Sequence, residues 1–404
     1  MTNLNLLTTP FHERTAALAE GQAWRRWAGH AVLGSYHLGH EREYAAIRNA
    51  AALIDVSPLH KYHVSGPDAA RMLDKVVPRD LARCRVGQVM YTPWCDGRGK
   101  VIDDGTISRL AEDTFRVTSA DPSLRWFTLN ASGLRVAIED VSYTMAALAL
   151  QGPRSRAVLE LAAAAPVREL PFFRFTTGTI AGVPVTISRT GYTGDLGYEI
   201  WLPAERALTV WDALMGAGHD HGLLPAGILA LDVARIEAGL LMNEVDYVSS
   251  HRALIDSQLS TPYELGLGWA VALAKGPFNG RRALLAERAA GSAWAFVGLE
   301  VDWDSLTELY AAVHLPPRLP RTAWRASTPV YSGGVQVGYA TSGCWSPILK
   351  ASVALAHVEA RYATPGTHVD LEVTVEHRRR RAAARVARLP FFDPKRKKSP
   401  VDDH

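Results

Sequence analysis

The chain has 404 residues, of which 48% are hydrophobic and 21% charged, with a formal net charge of +3. That balance excludes a disordered chain, and the length exceeds what one simple core needs, so two or three domains are expected. Cys84, Cys95 and Cys344 form neither a disulfide framework nor a Cys-x-x-Cys pair, which argues against zinc and for a reducing compartment. The N-terminus carries no basic start or sustained apolar stretch, and no run approaches the ~18 apolar residues of a membrane span, so the expected location is the cytoplasm. Basic residues concentrate at Arg378 to Arg381 and at Lys395 to Lys398; the second run reads as a solvated tail, and neither a nucleic-acid nor a membrane partner is expected.

The stretch through His40 has no clear pattern. From Glu41 to Ala52 the spacing predicts a helix, with Tyr44, Ile47 and Ala51 on one face and Glu41, Arg42, Glu43 and Arg48 elsewhere. Asp55-Val56-Ser57-Pro58 breaks it. Tyr62 and Val64 mark a strand, and Ser65-Gly66-Pro67-Asp68 leads into a helix through Met72, Leu73 and Val76. His60 and His63 flank Lys61-Tyr62 without a carboxylate at metal spacing and read as structural. Val89 to Val117 is strand-like, with turns at Asp96-Gly97-Arg98-Gly99 and Ala111-Glu112-Asp113.

Another strand ends at Gln151-Gly152-Pro153, and Val183, Val185 and Ile187 alternate with other residues as a half-buried strand does. Leu208, Trp211, Leu214 and Met215 give one helical stripe, and a second helix runs from Ala226 to Ala238. After Trp294 the chain turns to short strands and prolines, which predicts a separate, mostly-β C-terminal domain.

Three segments stand out for chemistry. In an extended Val101 to Ser108, Asp103 and Asp104 point to opposite faces, so they cannot be a paired acid and base. Read from the residues alone, both are better taken as turn residues stabilising the bend into Gly105. In Tyr198 to Leu202 the same alternation sets Glu199 and Trp201 apart from Tyr198, Ile200 and Leu202, placing a carboxylate beside an aromatic surface. That pairing suits a heteroaromatic ring with an amino group and an adjacent N–H, both of which a carboxylate can accept from. The glycines of Gly191-Tyr192-Thr193-Gly194-Asp195-Leu196-Gly197 lack the Gly-Lys-Ser/Thr of a phosphate loop and enter a strand, so they read as a tight turn bringing backbone near a ligand. The third segment is Gly338-Tyr339-Ala340-Thr341-Ser342-Gly343, with Ser346-Pro347 behind it.

In this order, and with Leu53-Ile54-Asp55-Val56-Ser57, Leu148-Ala149-Leu150-Gln151-Gly152-Pro153 and Phe278-Asn279-Gly280, these segments resemble the tetrahydrofolate-dependent family of the glycine cleavage T-protein. The resemblance runs from Glu41 to about Pro394. It implies an α+β fold in three domains ringed around a folate channel. These would be a discontinuous folate-binding domain (1–60 plus 145–285), a ferredoxin-like insertion (61–144) and a jelly-roll-like β-barrel (286–404). It also implies that Asp104 lies beside the reacting folate nitrogen and that Glu199 holds the pterin. Tyr91, thirteen positions before Asp104, Tyr192 and Trp201 complete the expected cofactor site.

Two departures from the family pattern bear on function. Gly227 to Gly239 follows a family helix, with Asp232, Arg235 and Glu237 kept, but Leu231 stands where an arginine contacts folate in aminomethyltransferases. Such an arginine is an always-charged planar donor, so its loss is not silent. The segment from Gly239 to Glu264 is longer and more polar than the pattern, a place where specificity changes, although a tolerated surface loop explains it equally well. The expected activity is therefore methyl transfer from the oxygen, sulfur or nitrogen of a small methylated substrate to N5 of tetrahydrofolate, with Tyr247 or His251 protonating the leaving atom. The alternatives are a glycine-cleavage aminomethyltransferase and a non-catalytic folate-binding module. The oligomeric state is not legible.

Overall fold

The structure is a computed structural model that describes residues 6–399. Two compact units emerge, one built from residues up to 92, 103–234 and the C-terminal segment from 393, the other from 93–102 and 235–392. Among the described residues no helix is long and apolar enough to cross a membrane.

The first unit holds two sheets that matter for function. The seven-stranded sheet runs Ala163–Ala164, Phe175–Ile180, Val183–Ser188, Gly197–Pro203, Met145–Gln151, Ala51–Asp55, Leu223–Pro225 from edge to edge. Alternation packs one face: Leu148, Leu150, Tyr198, Ile200 and Leu202 are buried with Val158, Leu159, Trp211 and Leu214 from the helices Ser155–Ala162 and Ala207–Gly218. Each large apolar side chain buried in this way stabilises the fold by ~1.5–3 kcal/mol.

The five-stranded sheet is ordered Val89–Cys95, Val101–Ala111, Thr114–Ser119, His60–Ser65, Ala137–Asp140. With helices Ala69–Val76 and Leu124–Asn130 between its strands, it has the ferredoxin-like order plus one added edge strand, Val89–Cys95. Tyr62, Val64, Ile107, Phe115 and Val117 fill its core face. At its margin the fully buried Lys61 ammonium donates to the carbonyls of Ser57 (2.7 Å), Leu59 (2.7 Å) and Ser142 (3.2 Å).

Two details correct the sequence reading, at the helix end and at the C-terminal run, and one, at the glycine turn, adds to it. The helix after Glu41 stops at Asn49, and Ala51, counted on its apolar stripe, opens the strand Ala51–Asp55 instead. The glycine turn at 191–197 is tight because of Gln151: a Cβ at Gly191 would lie 2.1 Å from its Oε1, and one at Gly197 would lie 2.3 Å from its Cδ. Gln151 in turn accepts from the Thr193 hydroxyl at 2.7 Å, so the close approach is to a neighbouring strand's side chain. Finally, the basic C-terminal run is not a solvated tail. Arg396 makes a two-pronged contact with the buried Asp195 carboxylate (2.6 and 2.7 Å), and Arg189 donates to the carbonyls of Arg396, Lys397 and Ser399.

In the second unit six antiparallel strands close into a barrel: Trp294–Val301, Ala351–Glu359, Val335–Ser346, Thr328–Ser332, His368–Val375 and Arg378–Ala387. Val297, Leu299, Val330, Ala354, Ala356, Leu371 and Val386 form its core. The mostly-β C-terminal domain expected after Trp294 is this barrel.

Candidate functional site

Side-chain alternation along Val101–Ala111 separates the two aspartates as expected. Asp103 is fully buried, and its carboxylate accepts from the backbone N–H of Asp104 and of Asp121, both at 2.9 Å. Burial, then the neighbouring Asp104, holds its carboxyl well above the usual carboxylate range. Asp103 is thus committed to the backbone. Asp104 lies on the other face, where its Oδ2 accepts from the Tyr91 hydroxyl at 2.8 Å. Burial first, and then the Asp104 charge, raises the Tyr91 phenol well above its ordinary value; Tyr192 adds in the same direction, so Tyr91, Asp104 and Tyr192 share one neighbourhood.

Cross-strand register extends this face. Thr106 stands opposite Thr118, their hydroxyls 2.6 Å apart, and Ser108 stands opposite Arg116. The face that carries Asp104 is therefore polar along its length, while Phe115 and Val117 turn into the core.

The seven-stranded sheet supplies the second group of residues. On Gly197–Pro203, Glu199 and Trp201 project from the face opposite Tyr198, Ile200 and Leu202. The Thr190 hydroxyl donates to Glu199 Oε2 at 2.5 Å, and the indole N–H of Trp201 donates to Ser188 Oγ at 3.4 Å. Burial raises the Glu199 carboxyl, with the Thr190 hydrogen bond and the Arg116 charge opposing.

Arg116 joins the two groups, and sequence reasoning missed it. Its guanidinium lies 4.2 Å over the Trp201 ring and the side chain is buried, which lowers its pKa to about 10 against the opposing pull of Glu199. The signal was available: a charge at the alternate position of Thr114–Ser119, between Phe115 and Val117, marks a buried polar face.

The longer segment after Gly239 is tied down within the second unit. Asp246 and Arg235 form a fully buried ion pair. The other Asp246 oxygen accepts from the hydroxyls of Thr341 (2.6 Å) and Ser342 (2.8 Å), and its carbonyl accepts from His357 Nε2 at 2.6 Å. Burial keeps His357 below its ordinary pKa, the form that donates one N–H, and its ring stacks on Tyr339. The Gly338–Gly343 stretch is therefore an anchor for the segment, which is no loose surface loop. Within it Tyr247 is buried and His251 is exposed. Leu231, on the helix Ile228–Glu237, is buried in the first unit.

An α+β unit that carries a ferredoxin-like sheet and presents a partly buried carboxylate beside an aromatic face, followed by a closed β-barrel, is the architecture of a folate-type one-carbon transferase. Residues 9–275 match the GCVT N-terminal domain, and residues 312–393 match the glycine cleavage T-protein C-terminal barrel domain. The chain belongs to the glycine cleavage T-protein (aminomethyltransferase) family. It is similar to an aminomethyltransferase of Halothermothrix orenii, 36% identical over 356 residues that cover 87% of this chain and 90% of that one. It is also similar to a trimethylamine-oxide aldolase of Ruegeria pomeroyi, 34% identical over 403 residues that cover 96% of this chain and 47% of that one. The crystal structure of aminomethyltransferase T from Bartonella henselae superimposes with a TM-score of 0.81 at 28% identity, covering 96% of this chain and 99% of that one.

Proposed function

We propose that this chain moves a methyl group from the nitrogen, oxygen or sulfur of a small molecule to N5 of tetrahydrofolate. The residues fit that cofactor. Glu199 offers a partly buried acceptor for the pterin's amino group and adjacent N–H, Trp201 lies beside it, and Asp104 sits on the polar face near Tyr91 and Tyr192. When bound, tetrahydrofolate supplies the nucleophilic nitrogen that takes the one-carbon unit. Asp104 takes the proton this nitrogen loses, and Tyr91 holds the carboxylate in place through its hydroxyl.

The observation that carries the choice of donor is Leu231. A buried leucine where aminomethyltransferases keep a folate-contacting arginine removes a planar cation, and no substitution of that kind is conservative. The firmly anchored segment around Asp246 gives a rigid base for altered specificity, and the trimethylamine-oxide aldolase relative is named for an N-methylated small molecule. For an ether or amine donor the leaving atom needs a proton. Of Tyr247 and His251, burial favours Tyr247, since an exposed imidazole competes with bulk water for that role.

The test is an incubation with tetrahydrofolate and a panel of N-, O- and S-methylated small molecules, set beside one with an aminomethyl-lipoylated carrier protein. Methylated folate from at least one small donor supports the proposal. Transfer from the carrier alone would assign the chain to glycine cleavage, and folate binding without any turnover would make it a binding module.

A further inference from the structure

Arg116 is a buried cation that the chemistry above does not use. It sits on Thr114–Ser119, between the strands Val101–Ala111 and His60–Ser65, opposite Ser108 on one side and His63 on the other. Its side chain leaves this sheet to lie 4.2 Å over the ring of Trp201, which belongs to the other sheet. Contact with a ring face offsets part of the cost of burying the charge but gives the guanidinium N–H groups no oxygen acceptor. The residue is 2% exposed, and among the described residues its Nε has no hydrogen-bond partner. Burying a charged donor in that state is costly unless something occupies the site. Glu199, two positions from Trp201 and on the same strand face, acts on it through space.

A pterin presents three polar groups in a row along one edge: an amino group, a ring N–H and a carbonyl. A carboxylate can accept from the first two and has nothing to give the third. A guanidinium is the complementary donor.

We propose that Arg116 is the second half of a pterin-recognising pair, donating to the ring's carbonyl oxygen while Glu199 accepts from the neighbouring N–H and amino group. This rests on the reading that Glu199 holds a pterin. Arg116 is thereby a specificity-determining residue, and it selects for a carbonyl at that ring position.

The experiment is calorimetric titration of wild type, Arg116→Met, Arg116→Lys and Glu199→Ala with two ligands: tetrahydrofolate, and its analogue bearing an amino group in place of the ring carbonyl. Arg116→Met should bind tetrahydrofolate about 10- to 100-fold more weakly, the range expected for losing a hydrogen bond to a charged group. It should bind the amino analogue no worse than wild type does, because no carbonyl is there to read. Arg116→Lys, which keeps the charge but not the planar fork, should recover part of the tetrahydrofolate affinity and shows that a folded protein is being measured. Equal losses for both ligands, or unchanged tetrahydrofolate affinity in Arg116→Met, overturn the proposal. If Glu199→Ala also binds tetrahydrofolate as wild type does, the pterin reading itself fails; if Glu199→Ala loses binding while Arg116→Met keeps it, only the role of Arg116 fails.

Discussion

Asp103 and Asp104 are chemically identical neighbours whose surroundings divide their roles. Because Asp103 accepts two backbone N–H groups, Asp103→Asn turns an amide N–H toward one of those donors and should cost about 1–3 kcal/mol of stability. Asp104→Asn should leave the melting temperature nearly unchanged and lower turnover much further than Asp103→Asn does. Thermal melts and single-turnover rates on the two variants decide it, and equal rate losses would mean that the pair acts structurally. Lys61 gives a test of a different kind. Burial lowers its pKa from 10.5 to about 8, so between those values the unfolded chain binds more protons than the folded one. Stability must therefore gain a contribution as pH rises from about 8 toward 10.5, and that contribution is absent below the window. Denaturant titrations across this range should show the stability of wild type rising relative to Lys61→Met. At neutral pH, Lys61→Met also strands three carbonyls and should be the less stable protein.

At the scale of elements, period-2 alternation was enough to read both strands of the candidate site. It separated Glu199 and Trp201 from Tyr198, Ile200 and Leu202, and Asp103 from Asp104, because a strand with one face in the core leaves its register no freedom. The same rule applied to Thr114–Ser119 would have exposed Arg116, but an arginine in a short strand looks like an ordinary surface charge until the opposite sheet is known. The end of the helix at Asn49 was not legible either, since Ala51 suits a helix stripe and a buried strand equally. Least visible were the long-range anchors: nothing near Asp246 in the sequence announces Thr341 and Ser342, and nothing in a run of lysines announces Asp195. Those anchors are testable. Asp246→Ala removes one half of a fully buried ion pair and the acceptor of the Thr341 and Ser342 hydroxyls, and should destabilise the protein by about 3 kcal/mol. Limited proteolysis should then cut within residues 243–259 before the barrel is attacked; an unchanged cleavage pattern would show that the segment is held by other contacts.

For the whole molecule, the family was legible because its motifs recur in order along most of the chain, and the α+β architecture with its terminal barrel followed from it. The donor was not, since a shared scaffold hosts different chemistries and the side chains that would choose among them carry no motif. If Glu199 holds the pterin, Glu199→Ala should weaken tetrahydrofolate binding by about 2–3 kcal/mol, read by calorimetry. The measurement that goes straight to the central claim follows the hydrogens of the transferred carbon. The protein is given tetrahydrofolate with donors carrying a trideuterated methyl group, and the folate product is weighed by mass spectrometry. Methyl transfer predicts a methylated folate that retains every deuteron. A product that has lost a deuteron, or product formed only with an aminomethyl-lipoylated carrier, would contradict it.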